Sequence, residues 1–229
     1  ALVGAWLAAA ACRTLQTGAT AAAPEAAVER AVSDPLAGVE APRVRVGILV
    51  EAAGAAASAR SGLAVHGRLP GETATLVRHV ATATFVPAPG SEGLRLQETG
   101  DELLLATVVP AVRGERLRLG ESGYRGALEV RPAPGGTLTV VNIANLEDYL
   151  LGVVANELSP DAFPHIEALK AQAVAARSWV LAHLGQYASK GYDVCATPAC
   201  QVYRGISSEH PLTDRAVAET RRVVATWRG

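Results

Sequence analysis

Leu146-Glu147-Asp148-Tyr149-Leu150-Leu151-Gly152-Val153-Val154-Ala155-Asn156-Glu157, preceded by the β-branched run Thr137–Ile143, is the stretch whose reading decides the fold. Thr137–Ile143 predicts a strand. Asn145 then stands as an N-cap, with Asp148 three residues on in a near relative of the capping box. Behind that start, Leu146, Tyr149, Leu150, Val153 and Val154 recur at helical spacing and define one apolar stripe. Glu157 falls on the same stripe, a carboxyl where a leucine is expected, and Ser159-Pro160 stops the helix just beyond it. Burial and the negative end of the helix dipole would both favour its protonated form. A carboxyl held that way is a candidate general acid. From pattern alone, the other reading is that Glu157 reaches past the stripe to pair with a neighbouring arginine.

Downstream, Pro164 suits the first turn of a second helix, and the run to about Tyr187 contains no glycine before Gly185. Between Ala171 and Ala182 the polar side chains are Gln172, Arg177, Ser178 and the indole of Trp179, so this helix reads as apolar nearly all round and buried. Arg177 has Ala173, Val174, Val180 and Leu181 as helical neighbours, and a guanidinium there needs a carboxylate or a ligand. Lys170 shares its side of the helix. The pair serves either structural salt bridges to Glu147, Asp148 or Glu167, or the floor of a polar groove facing Glu157. Beyond the helix, Cys195 and Cys200 flank a short loop containing Pro198. The spacing admits a disulfide in an oxidising compartment, half of a zinc site lacking two further ligands, or a catalytic thiol.

Upstream, Val44, Val46, Ile48 and Val50 alternate with other residues as a strand does. Short strand-like stretches follow at Leu63–His66, Thr75–Val77, Ala83–Val86, Leu94–Gln97, Leu103–Val109 and Leu128–Val130, separated by turn residues. His66 and His79 stand alone in them and read as ordinary strand histidines. The elements together predict an α+β fold: a β-rich part over 43–123, then an α/β part over 124–229 in which the two helices pack beside a groove. Residues 1–42 are different in character. The chain does not start with Met, and the apolar run Ala1–Cys12, ending Ala9-Ala10-Ala11-Cys12, suits a signal peptide of lipoprotein type with Cys12 lipidated. An ordinary secretory signal and a cytosolic Ala-rich helix are the other readings. The Ala- and Pro-rich stretch to Pro42 has little to pack and reads as a tether. Of 229 residues, 21 are Lys or Arg and 22 are Asp or Glu, for a net charge of −1. That balance argues against a protein that binds by neutralising phosphates, so nucleic acid is not an expected partner.

The series Tyr124-Arg125-Gly126, Val141-Asn142, Leu146 through Val154, Glu157-Leu158, Ala168-Leu169-Lys170-Ala171-Gln172-Ala173-Val174-Ala175-Ala176-Arg177, Tyr192-Asp193-Val194-Cys195 and Gln201-Val202-Tyr203-Arg204-Gly205 resembles the SpoIID/LytB family, the stage II sporulation protein D-like proteins. The resemblance runs from about Tyr124 to Gly229 and, more faintly, over Val44–Val50. It implies a lytic transglycosylase that cuts the MurNAc-GlcNAc linkage of peptidoglycan glycan strands stripped of stem peptides. In that reading Glu157 is the general acid and base, and Arg177, Lys170, Gln201 and Tyr203 contact the glycan. Other members are described as enhancers of cell-wall amidases, so a peptidoglycan-binding lipoprotein that recruits an amidase is the alternative. Some members bind zinc through the two cysteines and nearby histidines. Here Ala199 precedes the second cysteine, and Ser189 and Lys190 stand where an upstream histidine would be. The resemblance therefore favours a Cys195–Cys200 disulfide over zinc and implies no cofactor. It also implies an exported protein of the cell envelope, held to a bacterial membrane only through an N-terminal lipid. Family members continue past Trp227-Arg228-Gly229 into a Gly-rich segment lining the same groove.

Overall fold

The computed structural model describes residues 42–72 and 75–226. The expected leader, Cys12 and the tether as far as residue 41 lie outside the described residues. Among the described residues eleven strands form one sheet, and three α-helices follow or interrupt its last part.

The sheet begins with β1 (Arg43–Ala52), whose alternation buries Val44 and Val46 completely. It lies next to one end of the sheet. On one side it pairs antiparallel with β10 (Thr137–Asn145), matching Arg43 with Asn145 and Val46 with Asn142. On the other side it takes the two-residue β11 (Val194–Cys195) in parallel, Val46 against Val194. Beyond β10 come β9 (Ala127–Ala133), β6 (Leu105–Pro110), β2 (Ala55–Arg68), β3 (Thr75–Pro87), β4 (Leu94–Leu96) and β5 (Glu102–Leu103). A branch adds β7 (Leu117–Leu119) to β2 and β8 (Ser122–Tyr124) to β7. The β-rich stretch and the stretch after residue 124 thus share one ladder, because β1 joins β10 and β6 joins β9. The short strands read from sequence around Leu63, Thr75 and Ala83 are pieces of one hairpin, with arms of 14 and 13 residues. Ala, Ser and Arg in its outer half leave no alternating pattern to read.

β10 passes directly into α1 (Leu146–Glu157). Asn145 caps it by accepting the Glu147 N–H on its side-chain oxygen at 2.9 Å, which satisfies one of the unpaired donors of the first turn. The stripe packs as its spacing requires: Tyr149, Leu150, Val153 and Val154 are all fully buried. α2 (Ile166–Ala182) departs from expectation in three ways. Pro164 precedes it, leaving His165 as the N-cap, and the helix ends at Ala182, where the chain turns through Gly185 in the left-handed region. It buries one face, Leu169, Ala173, Ala176, Arg177 and Val180, against α1 and α3 (Pro211–Glu219). Its outward positions include Ala171 and Ala175, whose methyl groups cost little in water.

Gly152 sits in the buried face of α1, and a Cβ built there would stand 2.6 Å from the Tyr203 ring. The missing side chain lets Tyr203 lie on the helix. Gly→Ala in a helix ordinarily stabilises by about 1 kcal/mol; here overpacking reverses the sign. Gly152→Ala should lower stability by about 1–3 kcal/mol in urea denaturation.

Candidate active site

Glu157 ends α1, and the Leu158 N–H closes the helix on the Val154 carbonyl at 3.0 Å. The stripe predicted a buried carboxyl, but Glu157 is exposed. Periodicity fixes a residue's angle about the helix axis; it does not say how far along the axis the covering elements extend, and they stop one turn short. What meets Glu157 is backbone. The Val202 N–H donates to its Oε1 at 2.8 Å, while among the described residues Oε2 has no partner. Among the described residues no arginine forms an ion pair with it.

The segment bearing Val202 is fixed from beneath. Gln201 is buried; it accepts the Tyr149 hydroxyl on Oε1 at 3.0 Å and donates from Nε2 to the Ala176 carbonyl at 3.4 Å, tying the segment to α1 and α2 together. Tyr203, also buried, donates its hydroxyl to Asn142 Oδ1 at 2.7 Å, and Asn142 donates in turn to the carbonyls of Arg125 and Ala127. The Tyr149 and Tyr203 rings lie 5.1 Å apart. Burial pushes the Tyr149 phenol far above its ordinary range, with Tyr203 and Glu157 adding to the effect. Burial does the same for Tyr203. Both hydroxyls therefore stay protonated and act as fixed donors.

Just before this segment, Cys195 and Cys200 form a disulfide, with Cα atoms 5.5 Å apart. Inside its ring, Cys200 N–H donates to the Thr197 carbonyl at 2.9 Å; just after it, Tyr203 N–H donates to the Ala196 carbonyl at 3.1 Å. Among the described residues no group of three or more His, Cys, Asp and Glu side chains is disposed to hold a metal ion.

The structure moves the other candidates away from a glycan-facing floor. Arg177 is 1% exposed and belongs to a structural ion pair: Nε and Nη2 donate to the two Glu147 oxygens at 3.0 and 2.8 Å, and Nη1 donates to the Val223 carbonyl at 3.0 Å. Lys170 pairs with Glu167 at 2.9 Å and Glu219 at 2.7 Å, bridging α2 to α3. Gln201 and Tyr203 flank Val202 and so come near Glu157 in the fold, yet their polar side-chain atoms are bonded to neighbours. Of the residues read from sequence, the structure thus joins Glu157, Gln201 and Tyr203 in one cluster and leaves Arg177 and Lys170 outside it. Three members went unread. Val202 acts through its backbone, which no side-chain motif reveals. Tyr149 was read only as part of the stripe, though a phenol on a buried face always implies a polar partner. Asn142 was quoted only for resemblance, yet a buried amide inside a β-branched strand carries the same implication.

Residues 134–227 match the family described as Stage II sporulation protein, SpoIID. The chain carries a SpoIID domain. The matched family is named for sporulation. An uncharacterized protein of Brachyspira hyodysenteriae is 43% identical over 107 residues, which is 46% of this chain and 28% of that protein. The chain therefore covers under a third of the curated relative it matches. No solved structure matches it.

The buried pair and a glycan contact at Arg177 predict different outcomes. Arg177→Ala removes the partner of a mostly buried carboxylate and should cost about 3 kcal/mol or more in denaturation. A residue whose sole role is to touch ligand would change stability by roughly 0.5 kcal/mol or less.

Proposed function

We propose that this chain is a lytic transglycosylase acting on peptidoglycan glycan strands stripped of stem peptides, with Glu157 as its general acid and base. One observation carries the reading: a solvent-facing carboxylate at a helix end, steadied at Oε1 by the Val202 N–H and left with Oε2 open. A glycan lying over Oε2 would bring its linking oxygen within reach of the open carboxyl oxygen.

In the reaction, Glu157 gives its proton to the oxygen linking MurNAc to GlcNAc as the glycosidic bond breaks. The carboxylate then takes the proton of the MurNAc 6-hydroxyl as that oxygen bonds to its own anomeric carbon. The product is a 1,6-anhydro end, no water is consumed, and Glu157 finishes protonated. One carboxyl suffices because the nucleophile belongs to the substrate, unlike the two-carboxylate arrangement of ordinary glycoside hydrolysis. Arg177, Gln201 and Tyr203 enter this scheme as the scaffold that holds Val202 and α1. The Cys195–Cys200 disulfide suits an oxidising compartment, in keeping with an exported envelope protein.

Glu157→Gln keeps shape and the acceptor for the Val202 N–H while removing the transferable proton. Its release of anhydro-ended sugars from denuded strands, followed by mass spectrometry, should fall by about 10²–10⁴-fold with unchanged thermal stability. Equal release by the variant and the wild type would overturn the mechanism. If neither releases sugars while both stimulate a cell-wall amidase equally, the chain is an amidase enhancer.

A further inference from the structure

A cleft of about 410 Å³ opens where the end of β1 meets β9 and the turn before β11, and neither Glu157 nor any residue fixing it contributes to the wall. Its charged side chains are Arg68, Arg131, Lys190 and Glu51, three cations against one carboxylate in a chain whose overall charge is −1. Among the described residues neither Arg68 nor Lys190 has a carboxylate partner; Lys190 lies over the Tyr187 ring, 5.6 Å from its centre. Arg131 is only loosely compensated. Its nearest carboxylate, Glu129, is 3.7 Å away and is already bonded to Arg45 at 2.6 Å.

The backbone is shaped around these charges. Gly191, at φ +85°, leaves room for the Arg131 guanidinium: a Cβ built there would overlap Nη1 at 1.0 Å. A residue with a side chain would be strained at that φ and would push the guanidinium, the movable end of Arg131, out of its place. Opposite, the pairing of β1 with β10 shifts register between Leu49 and Ala52, and Glu51 takes the left-handed region at φ +56°, an uncommon conformation for a residue with a side chain. Sparse conformations of this kind gather at ligand sites. The rest of the wall is largely apolar, with Leu104, Leu105, Pro132 and Pro134 among it.

We infer that this cleft is a second binding site, taking a carboxylate joined to a small apolar body. Arg68 and Lys190, which have no carboxylate partner among the described residues, and the loosely compensated Arg131 meet the carboxylate, and the Leu and Pro wall covers the body. Two parts of peptidoglycan have this chemistry: the lactyl ether of muramic acid and the C-terminus of a stem peptide. That choice of sources rests on the proposed cell-wall function; the site itself does not depend on Glu157.

The test is titration of the whole protein by nuclear magnetic resonance with N-acetylmuramic acid and, separately, with the dipeptide D-Ala-D-Ala. N-acetylglucosamine and inorganic phosphate serve as controls. Shifts at the amides of Ser189, Lys190 and Tyr192 with either carboxylate, absent with both controls, are the expected result, and the ligand that produces them identifies the source. The double variant Arg68→Ala/Lys190→Ala alters exposed side chains and should weaken binding by about tenfold. Arg131→Gln should weaken it as well, and Glu157→Gln should leave it unchanged, so a failed cleavage assay leaves this result standing. Equal shifts with N-acetylglucosamine or phosphate, equal affinity in the double variant, or no shift with either carboxylate would overturn the proposal.

Discussion

A guanidinium almost wholly removed from water sits where the three helices meet, and the second half of the structure depends on how it is neutralised. Arg177 projects from α2, takes both oxygens of Glu147 from the first turn of α1, and donates to the carbonyls of Val217 in α3 and Val223 beyond it. One side chain thereby fixes three helices and the chain after them. A buried charge left unpaired is costly, whereas a paired and hydrogen-bonded one is tolerable. Alternatives that separate α1 from α2 therefore carry a penalty that simple slippage of leucines would not. Glu147 also lies near the helix's positive end, where a carboxylate is favoured.

That rigidity is passed to the candidate site through hydrogen bonds. Gln201 joins Tyr149 on α1 to the Ala176 carbonyl on α2, so its backbone follows both helices. Val202 comes next in the chain and delivers its N–H to Glu157. The buried polar groups here are largely satisfied by one another, as a low-dielectric interior requires. Glu157 alone in the group faces solvent. The arrangement separates two situations: buried residues hold position, and one carboxylate oxygen is left open to solvent.

Much of this was legible before any coordinates. Asn145 announced the start of α1 and Ser159-Pro160 its end, because capping and helix breaking are local events written in neighbouring residues. The need of Arg177 for a partner was legible too, and Glu147 was among the candidates named. Whether that partner was protein or ligand was not, since spacing along one helix cannot say what a second helix brings opposite. The exposure of Glu157 and the burial of Gln201 and Tyr203 were hidden for the same reason. The long β2–β3 hairpin escaped because strand pairing, more than side-chain alternation, holds its Ala- and Ser-rich arms. The cleft at Arg131 draws its walls from stretches of sequence far apart, and no motif connects them.

The position of β1 has a consequence for how the chain comes to be folded. The first described strand is clasped between β10 and β11, two of the last to be synthesised, and Arg45 is bonded to Gly191 and Asp193 across that whole distance. The family match starts at residue 134, but the sheet it belongs to is incomplete without β1. The family match and the sheet have different boundaries here. During synthesis β1 must wait, unpaired and partly apolar, until β10 has emerged, and its other edge stays open until β11 follows. Long-range pairing of that kind is slow and leaves a sticky edge open meanwhile, so β1 is the strand most in need of shielding while the sheet assembles.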